Sequence, residues 1–470
     1  MVASRANGGL RRPPDWVRDA VFYQIFPDRF HNGDPANDPP GTQPWGEKPD
    51  HTSMFGGDLQ GIIERLEYLE RLGVNALYLT PIFHAPSNHK YDTQDYFQVD
   101  PAFGGNRALR ELVGELHARG MRIILDGVFN HCGDRHPFFQ DVVARGRASP
   151  YWEWFSVRGD KITREPEPNY ACWAGVPSMP EWNHRNPEVR EYLLSVVRHW
   201  LCEYGIDGWR LDTGDYLPPD FVLEVYQAAK EINPEAYVIA ELMGIAASWF
   251  KLGALDGAMN YRLREGVVAF FAQGEWSAAR FAHHLYTLRR SYPPQHTFSM
   301  FNLVSSHDVP RFLTLCGGDR RRLILAYAFL LTYPGAPAIY YGDEVGLEGG
   351  EDPDCRRTFP WDEGLWDREI WEALHQLIRI RSLSPALRRG GFHPWWARGR
   401  LLSFLRTGGE EEVLVALNAG EKEEPLTLPT PGPWWELLPE EKNRRQQVSI
   451  PGWGFLLLRR PSSDSSRREV

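Results

Sequence analysis

The sequence predicts an α/β fold: a (β/α)8 barrel with a loop-rich segment inserted after its third strand and an antiparallel β-sandwich at its C-terminal end. Three observations predict it. Short apolar runs alternate with longer amphipathic stretches through most of the chain, the pattern of βα units and a parallel sheet. Eight such runs occur, a number that suits a closed barrel better than an open sheet. Beyond about residue 385 the runs become short and β-like and recur about every ten residues, which suggests a sandwich.

The eight barrel runs are 21–26, 75–83, 121–129, 208–213, 237–242, 257–261, 301–308 and 337–344. Between them, LQGIIERLEYLERLG and NRALRELVGELHARG carry apolar residues at helical spacing and stop at Gly73 and Gly120. PEVREYLLSVVRHWLCEYG opens on Pro187, suited to a first helical position, and stops at Gly205. From 131 to 184 no clear helix is visible, only many Trp, Pro and Gly residues. A segment that long in a compact domain is usually functional or a small subdomain. The expected organisation is a barrel over 1–130 and 185–384, an inserted domain over 131–184, a sandwich over 385–461 and a disordered tail over 462–470. Residues 1–14 are expected to fray.

Bulk properties exclude several classes. A formal charge of −10 argues against nucleic acid or an anionic membrane as the main partner. No stretch approaches eighteen apolar residues and the N-terminus has no apolar leader core. The five cysteines are scattered, without a CxxC pair, so neither a disulfide framework nor a zinc site is indicated. A cytoplasmic protein is expected. The 18 Trp residues suit large cores and equally suit stacking against the apolar faces of sugar rings.

Barrel enzymes carry their chemistry at the C-terminal ends of strands. Here those ends are polar: Asp126 with Asn130-His131, Arg210-Leu211-Asp212, Glu241, and His307-Asp308. Any one acid there reads as a capping residue; four such ends converging on one rim are hard to explain structurally. Arg210 and Asp212 are two apart on one strand and face the same way, so the arginine favours an ionised, nucleophilic Asp212. Glu241 on the neighbouring strand, in a drier place, would hold a proton it can donate. Two carboxyl groups about 5–5.5 Å apart perform retaining glycoside hydrolysis, and adjacent strands permit that spacing. Asp308 is the third acid, and His131 and His307 are donors suited to hydroxyls.

DGVFNH (126–131), GWRLDT (208–213), the Glu241 segment and SSHD (305–308) resemble, in order, the four hallmark regions of the α-amylase family of glycoside hydrolases. The resemblance implies Asp212 as nucleophile, Glu241 as acid/base and Asp308 as stabiliser, with Asp126, His131, Arg210 and His307 shaping the subsite of the attacked glucose. HKYD (89–92) is similar to the segment whose tyrosine stacks on that glucose, which implies Tyr91 with His89 beside it. DPDCRR (352–357) is similar to the segment whose Asp and Arg hold the same sugar, here Asp352 and Arg356.

Further segments, such as FGGDLQG and LTPIFHAPSNHKYDTQDYF, resemble the neopullulanase, cyclomaltodextrinase and maltogenic amylase subgroup. The subgroup's usual N-terminal domain builds a domain-swapped dimer. This chain starts almost at strand one, so that dimer is not expected and the oligomeric state stays open. Other departures are Glu181-Trp182 for the usual Lys-Leu, Thr213-Gly214-Asp215-Tyr216 for Val-Ala-Asn-Glu, and Leu242-Met243 where a Trp-His pair is common.

Asn32, Asp34, Asn37 and Asp38 put four oxygen donors within seven residues, on a loop bent by Gly33 and Pro35. Such residues make turns and also suit calcium. The subgroup resemblance implies a structural calcium held by this loop together with Gly56 and Asp58, and no organic cofactor. The expected activity is hydrolysis of α-1,4 bonds in malto-oligosaccharides, cyclodextrins or pullulan, with some α-1,6 cleavage and transglycosylation. The alternatives are an exo-acting α-glucosidase, a glucosyl transferase or isomerase and, more remotely, an inactive sugar-binding scaffold.

Overall fold

The computed structural model describes residues 12–429, 433–437, 443–444 and 447–462. Eight parallel strands form its centre: β1 (Phe22–Ile25), β2 (Ala76–Leu79), β3 (Arg122–Gly127), β4 (Gly208–Leu211), β5 (Tyr237–Ala240), β6 (Gly257–Ala258), β7 (Phe301–Asn302) and β8 (Ala336–Tyr340). Their order is β6-β5-β4-β3-β2-β1-β8-β7, and a parallel bridge between Met259 and Phe301 joins the two edges into a closed barrel.

Strand alternation sorts every side chain to one of two places. Tyr23, Leu77, Ile123, Trp209 and Val238 point outward into the layer packed by the helices. Phe22, Ala76, Tyr78, Ile124, Tyr237 and Ile239 point inward and plug the barrel with Met259, Phe301 and Ala338. Continuing the same parity toward the C-terminal ends puts Gln24, Asp126, Arg210, Asp212 and Glu241 above the plug. All five are buried. The barrel therefore has an apolar floor and a polar upper storey, and only the upper one opens to solvent. Gly208 is required at its position, since a Cβ there would lie 2.0 Å from the Tyr237 carbonyl oxygen of the neighbouring strand.

The helix predicted to stop at Gly120 runs over Gly105–Ala118. The one predicted to stop at Gly205 is α-helical over Pro187–His199 and ends in a π-turn at Trp200–Tyr204. Three expectations need correction. The inserted segment does contain a helix, Pro137–Arg145, capped by the His136 ring and burying Phe139 and Val142. Nine residues with two buried positions show too little periodicity to stand out in sequence. Second, β6 and β7 are two residues each, so Asp308 lies on a loop six residues past the end of β7, in a tight turn closed by the Ser306–Val309 bridge. Third, the sandwich gains a first strand, β9 (Gly391–Arg398). It is an edge strand with Trp395 and Trp396 exposed, so it lacks the alternation that marks a half-buried strand.

β9 continues into β10 (Leu401–Gly408) and β11 (Glu411–Asn418). With β12 (Glu424–Thr427), β13 (Trp434–Glu436), β14 (Asn443–Arg444), β15 (Gln447–Ile450) and β16 (Gly454–Pro461), these make a six-stranded antiparallel sheet, β9-β10-β11-β16-β13-β14, and a β12–β15 pair. Leu401, Leu414, Leu426, Trp434 and Ile450 pack between the two sheets. The expected fraying of the first residues and the expected disordered tail lie outside the described residues, apart from 12–14 and 462.

Candidate active site

The polar storey is organised around one cation. Arg210 is fully buried, and its Nη1 donates to both oxygens of Asp126 (2.8 and 3.0 Å) and to Asp212 Oδ1 (2.8 Å). Its Nη2 stands 3.1 Å from Glu241 Oε2 and 4.0 Å from Asp308 Oδ2. The predicted catalytic acids thus meet on one guanidinium, together with Asp126.

Burial pushes all four carboxyl groups upward and Arg210 draws them back; Asp126 settles at about 6. One cation shared among four crowded acids leaves the cluster holding protons above the usual carboxylate range. The expectation that Arg210 alone keeps Asp212 low is therefore too simple. The contacts still distinguish the two. Asp212 Oδ1 takes a hydrogen bond from Arg210 Nη1, while Glu241 Oε2 takes the Thr213 N–H and stands 3.1 Å from Arg210 Nη2. The second Asp212 oxygen has no hydrogen-bond partner among the described residues. It is the free lone-pair oxygen that a nucleophile needs.

A cavity of about 440 Å³ stands over these groups, lined among others by His89, Tyr91, His131, Asp352 and Arg356. Five predicted sugar-binding residues therefore share the cavity with all three acids. The other three lie beneath its floor. Asp126 is held by Arg210, Tyr78 (2.6 Å) and Tyr91 (3.2 Å). His307 receives the Gln24 amide on Nδ1 (2.7 Å), which leaves Nε2 as the protonated nitrogen, facing Tyr91 Oη and Asp308 Oδ2. Burial holds His307 well below the usual histidine range and lowers His89 to about 4 and His131 to about 3. Neutral imidazoles can donate from one nitrogen and accept at the other, which suits hydroxyl ligands. Arg356 donates to the His307 carbonyl (2.8 Å) and pairs with Asp308 (3.4 Å) and Asp352 (3.0 Å), tying the β7 and β8 loops together.

Several residues escaped the sequence reading. Thr213, directly after Asp212, takes left-handed backbone angles (φ 45°), costly for a β-branched residue by about 1–3 kcal/mol. The strained turn aims its N–H at Glu241 Oε2 (3.0 Å). No local signal marks it. Tyr78 and Gln24 had a signal, since polar atoms stand in otherwise apolar barrel runs. Of the two tryptophans of the inserted segment that were weighed as sugar contacts, Trp182 is core, stacked on Phe155, while Trp173 lines the cavity.

The acidic loop after β1 has its own geometry. Asp58 caps the helix Leu59–Glu64 and accepts N–H groups from Gly33, Gly61, Asp34 and the Asn37 amide, folding the loop about itself. Asn32 donates to Asp38 (2.8 Å), and a side chain at Gly56 would strike both. The amide oxygens of Asn32 and Asn37 are buried and unpartnered. No group of three or more His, Cys, Asp or Glu side chains is placed to hold a metal among the described residues. Any ion here would rest on a mixed set of amide, carboxylate and backbone oxygens, the hard-donor mixture that calcium accepts.

A (β/α)8 barrel whose rim gathers three predicted catalytic carboxylates under an aromatic- and histidine-lined cavity has the parts of a glycoside hydrolase. The family profile "Alpha amylase, catalytic domain" matches residues 24–379, and the chain belongs to the α-amylase family. It is 46% identical over 458 residues to a cyclomaltodextrinase of Geobacillus thermopakistaniensis, covering 95% of this chain and 78% of the relative. It is also 46% identical to neopullulanase 2 of Thermoactinomyces vulgaris, covering 93% and 76%. Among solved structures, the ligand-free cyclic α-maltosyl-(1→6)-maltose hydrolase of Arthrobacter globiformis superposes with a TM-score of 0.91 at 40% identity. That match covers 96% of this chain and 100% of the other.

Proposed function

We propose that the protein is a retaining hydrolase of the cyclomaltodextrinase and neopullulanase kind, cleaving α-1,4-glucosidic bonds in malto-oligosaccharides, cyclodextrins or pullulan, with α-1,6 cleavage and transglycosylation as side activities. The observation that carries it is the grip of one guanidinium on both Asp212 and Glu241. Acids held by adjacent nitrogens of one planar group are close neighbours, as the about 5–5.5 Å of a retaining pair requires. Asp212 Oδ2 attacks the anomeric carbon while Glu241 protonates the leaving oxygen. Glu241, then ionised, takes the proton of the water that cleaves the glycosyl ester. Asp308 faces the positive charge that develops on the ring, and Tyr91 offers that ring its face. The names of the relatives support the substrate class. The exposed Cys202 thiol suits a reducing, cytoplasmic setting.

Product analysis after separate incubation with β-cyclodextrin, pullulan, soluble starch and maltotriose tests this reading. Faster attack on cyclodextrin or pullulan than on starch, releasing maltose, glucose or panose, is expected. Rapid cleavage of maltotriose with the polymers untouched would make it an exo-acting α-glucosidase instead.

We also propose one structural calcium in the loop of Asn32, Asp34, Asn37, Asp38, Gly56 and Asp58, supported by the two unpartnered asparagine oxygens. The ion would pin the loop to the first turn of the helix after Asp58. Chelation is expected to remove about one equivalent of calcium and to lower the melting temperature, with recovery on adding calcium back. Metal-free protein with an unchanged melting temperature would overturn this assignment.

A further inference from the structure

Polar side chains from four separate segments line up beneath the catalytic cavity as one chain. Gln24 on β1 meets His307 Nδ1 (2.7 Å), and Nε2 of the same ring meets Tyr91 Oη. Tyr91 Oη stands 3.2 Å from Asp126 Oδ2, and Asp126 is held by Arg210. Gln24 and His307 are both buried, so neither can turn to water for a missing partner. The His307 carbonyl is pinned by Arg356 Nε (2.8 Å) and Cys355 Sγ (3.3 Å), and the Gln24 carbonyl by the Tyr341 N–H (3.0 Å). With both backbones fixed, the freedom left at His307 is which nitrogen carries the proton.

The chain has a direction. Asp126 accepts from Arg210 and from Tyr78 (2.6 Å), and it accepts from Tyr91 as well. The single Tyr91 proton therefore points at Asp126, and Tyr91 Oη turns a lone pair toward His307. That lone pair needs a donor, so Nε2 carries the ring proton, which also faces Asp308 Oδ2 at 3.2 Å. Burial, with Arg356, Arg210 and His89 facing it, holds the ring well below the usual histidine range. A neutral ring has one proton, so Nδ1 holds a lone pair that only a donor satisfies. Gln24 meets it there.

We propose that Gln24 is a positioning residue for the reaction: its amide N–H, by occupying His307 Nδ1, fixes the tautomer that places a proton between Tyr91 and Asp308. The proposal rests on the hydrolase reading above and adds how its sugar-facing groups are kept in one protonation pattern. With the proton on Nδ1 instead, Nε2 would turn a lone pair on Asp308, the acid that faces the developing positive charge. Tyr91 would then give its proton to the ring and none to Asp126. The hydrogen bond at one imidazole nitrogen sets the state of the other. An amide suits the task because it does not titrate.

The test compares the full-length enzyme with Gln24→Glu and Gln24→Met, reading kcat and KM on a malto-oligosaccharide near pH 5 and near pH 8. Ring-nitrogen chemical shifts of His307 are read in histidine-labelled protein, identified by the signals missing from His307→Asn. A glutamate keeps the shape of the amide. Protonated, it donates to Nδ1 as the amide does; ionised, it can only accept, and Nδ1 must take the proton. Burial raises such a carboxyl toward neutral pH. Gln24→Glu is therefore expected to approach the wild-type kcat near pH 5. Near pH 8 it should fall about ten- to hundredfold below, the scale of one or two buried hydrogen bonds, with KM changed less. Gln24→Met neither donates nor titrates and should lose a similar factor at both pH values. The wild-type ring should carry its proton on Nε2 throughout, and the Gln24→Glu ring on Nδ1 near pH 8. Melting temperatures report whether each variant is folded. A wild-type ring protonated on Nδ1 would overturn the proposal without recourse to either variant. So would a ratio of Gln24→Glu to wild type that does not fall with pH, or a Gln24→Met kcat within about twofold of wild type. A wild type without turnover on any oligosaccharide would instead overturn the hydrolase reading, and the spectra would still report the tautomer.

Discussion

Asp212→Asn is expected to lower kcat by more than about 10⁴-fold on any α-glucan the enzyme accepts, the scale on which removal of a nucleophile acts. The amide keeps an oxygen for the hydrogen bond from Arg210 Nη1, now 2.8 Å from Asp212 Oδ1, so the side chain stays in place. It loses the lone-pair-rich, unpartnered second oxygen that forms the glycosyl ester. Melting temperature and circular dichroism should match the wild type or show a slightly more stable protein, because one of four crowded acids has gone. A variant that keeps most of its activity would remove Asp212 from the nucleophile's role and with it the retaining mechanism.

Replacing Arg210 by methionine should have the largest effect on stability of any single change at the site. Asp126, Asp212, Glu241 and Asp308 all lie within 4.0 Å of its guanidinium. Without it they are buried acids lacking their shared cation, and breaking such a cluster costs about 3–5 kcal/mol near neutral pH. The loss should depend on pH in a definite direction. Burial already raises these groups, Asp126 to about 6 with Arg210 present, and removing the cation raises them further. A group raised on folding stabilises the fold below its unfolded pKa of about 4, and that contribution fades as pH rises through the folded value. The variant should therefore lie closest to the wild type near pH 4.5 and furthest from it near pH 7.5, as read by urea denaturation at both. An equal deficit at the two values would mean that Arg210 acts by packing and not by charge. Activity should be abolished at either pH, since both Asp212 and Glu241 lose their anchor.

Much of this architecture was legible without coordinates, because it is written in short-range pattern. A strand announces itself by parity and a helix by a period of about 3.6, and both are read within a dozen residues. The same parity that separates Phe22 from Tyr23 also places Asp126, Arg210, Asp212 and Glu241 inside the barrel, so the catalytic acids could be named from strand ends alone. Asp308 was read as the end of the seventh strand, and only the fold shows that it lies on a loop six residues past β7. The helix at Pro137–Arg145 and the edge strand β9 stayed hidden where the pattern was too short or too exposed to register.

What the tertiary structure alone decided are quantities that depend on neighbours distant in sequence. Four acids share one cation because β3, β4, β5 and the β7 loop converge, and this crowding raises all four above the usual carboxylate range. The left-handed turn at Thr213 gives Glu241, 28 positions away, a backbone donor. Trp182 became core and Trp173 a cavity wall according to where the inserted segment folds back. Tyr216 borders two cavities because the β4 loop meets residues 181–185. Local sequence fixes which side chains face inward; burial, shared charges and the walls of a cavity arise only when distant segments close on one another.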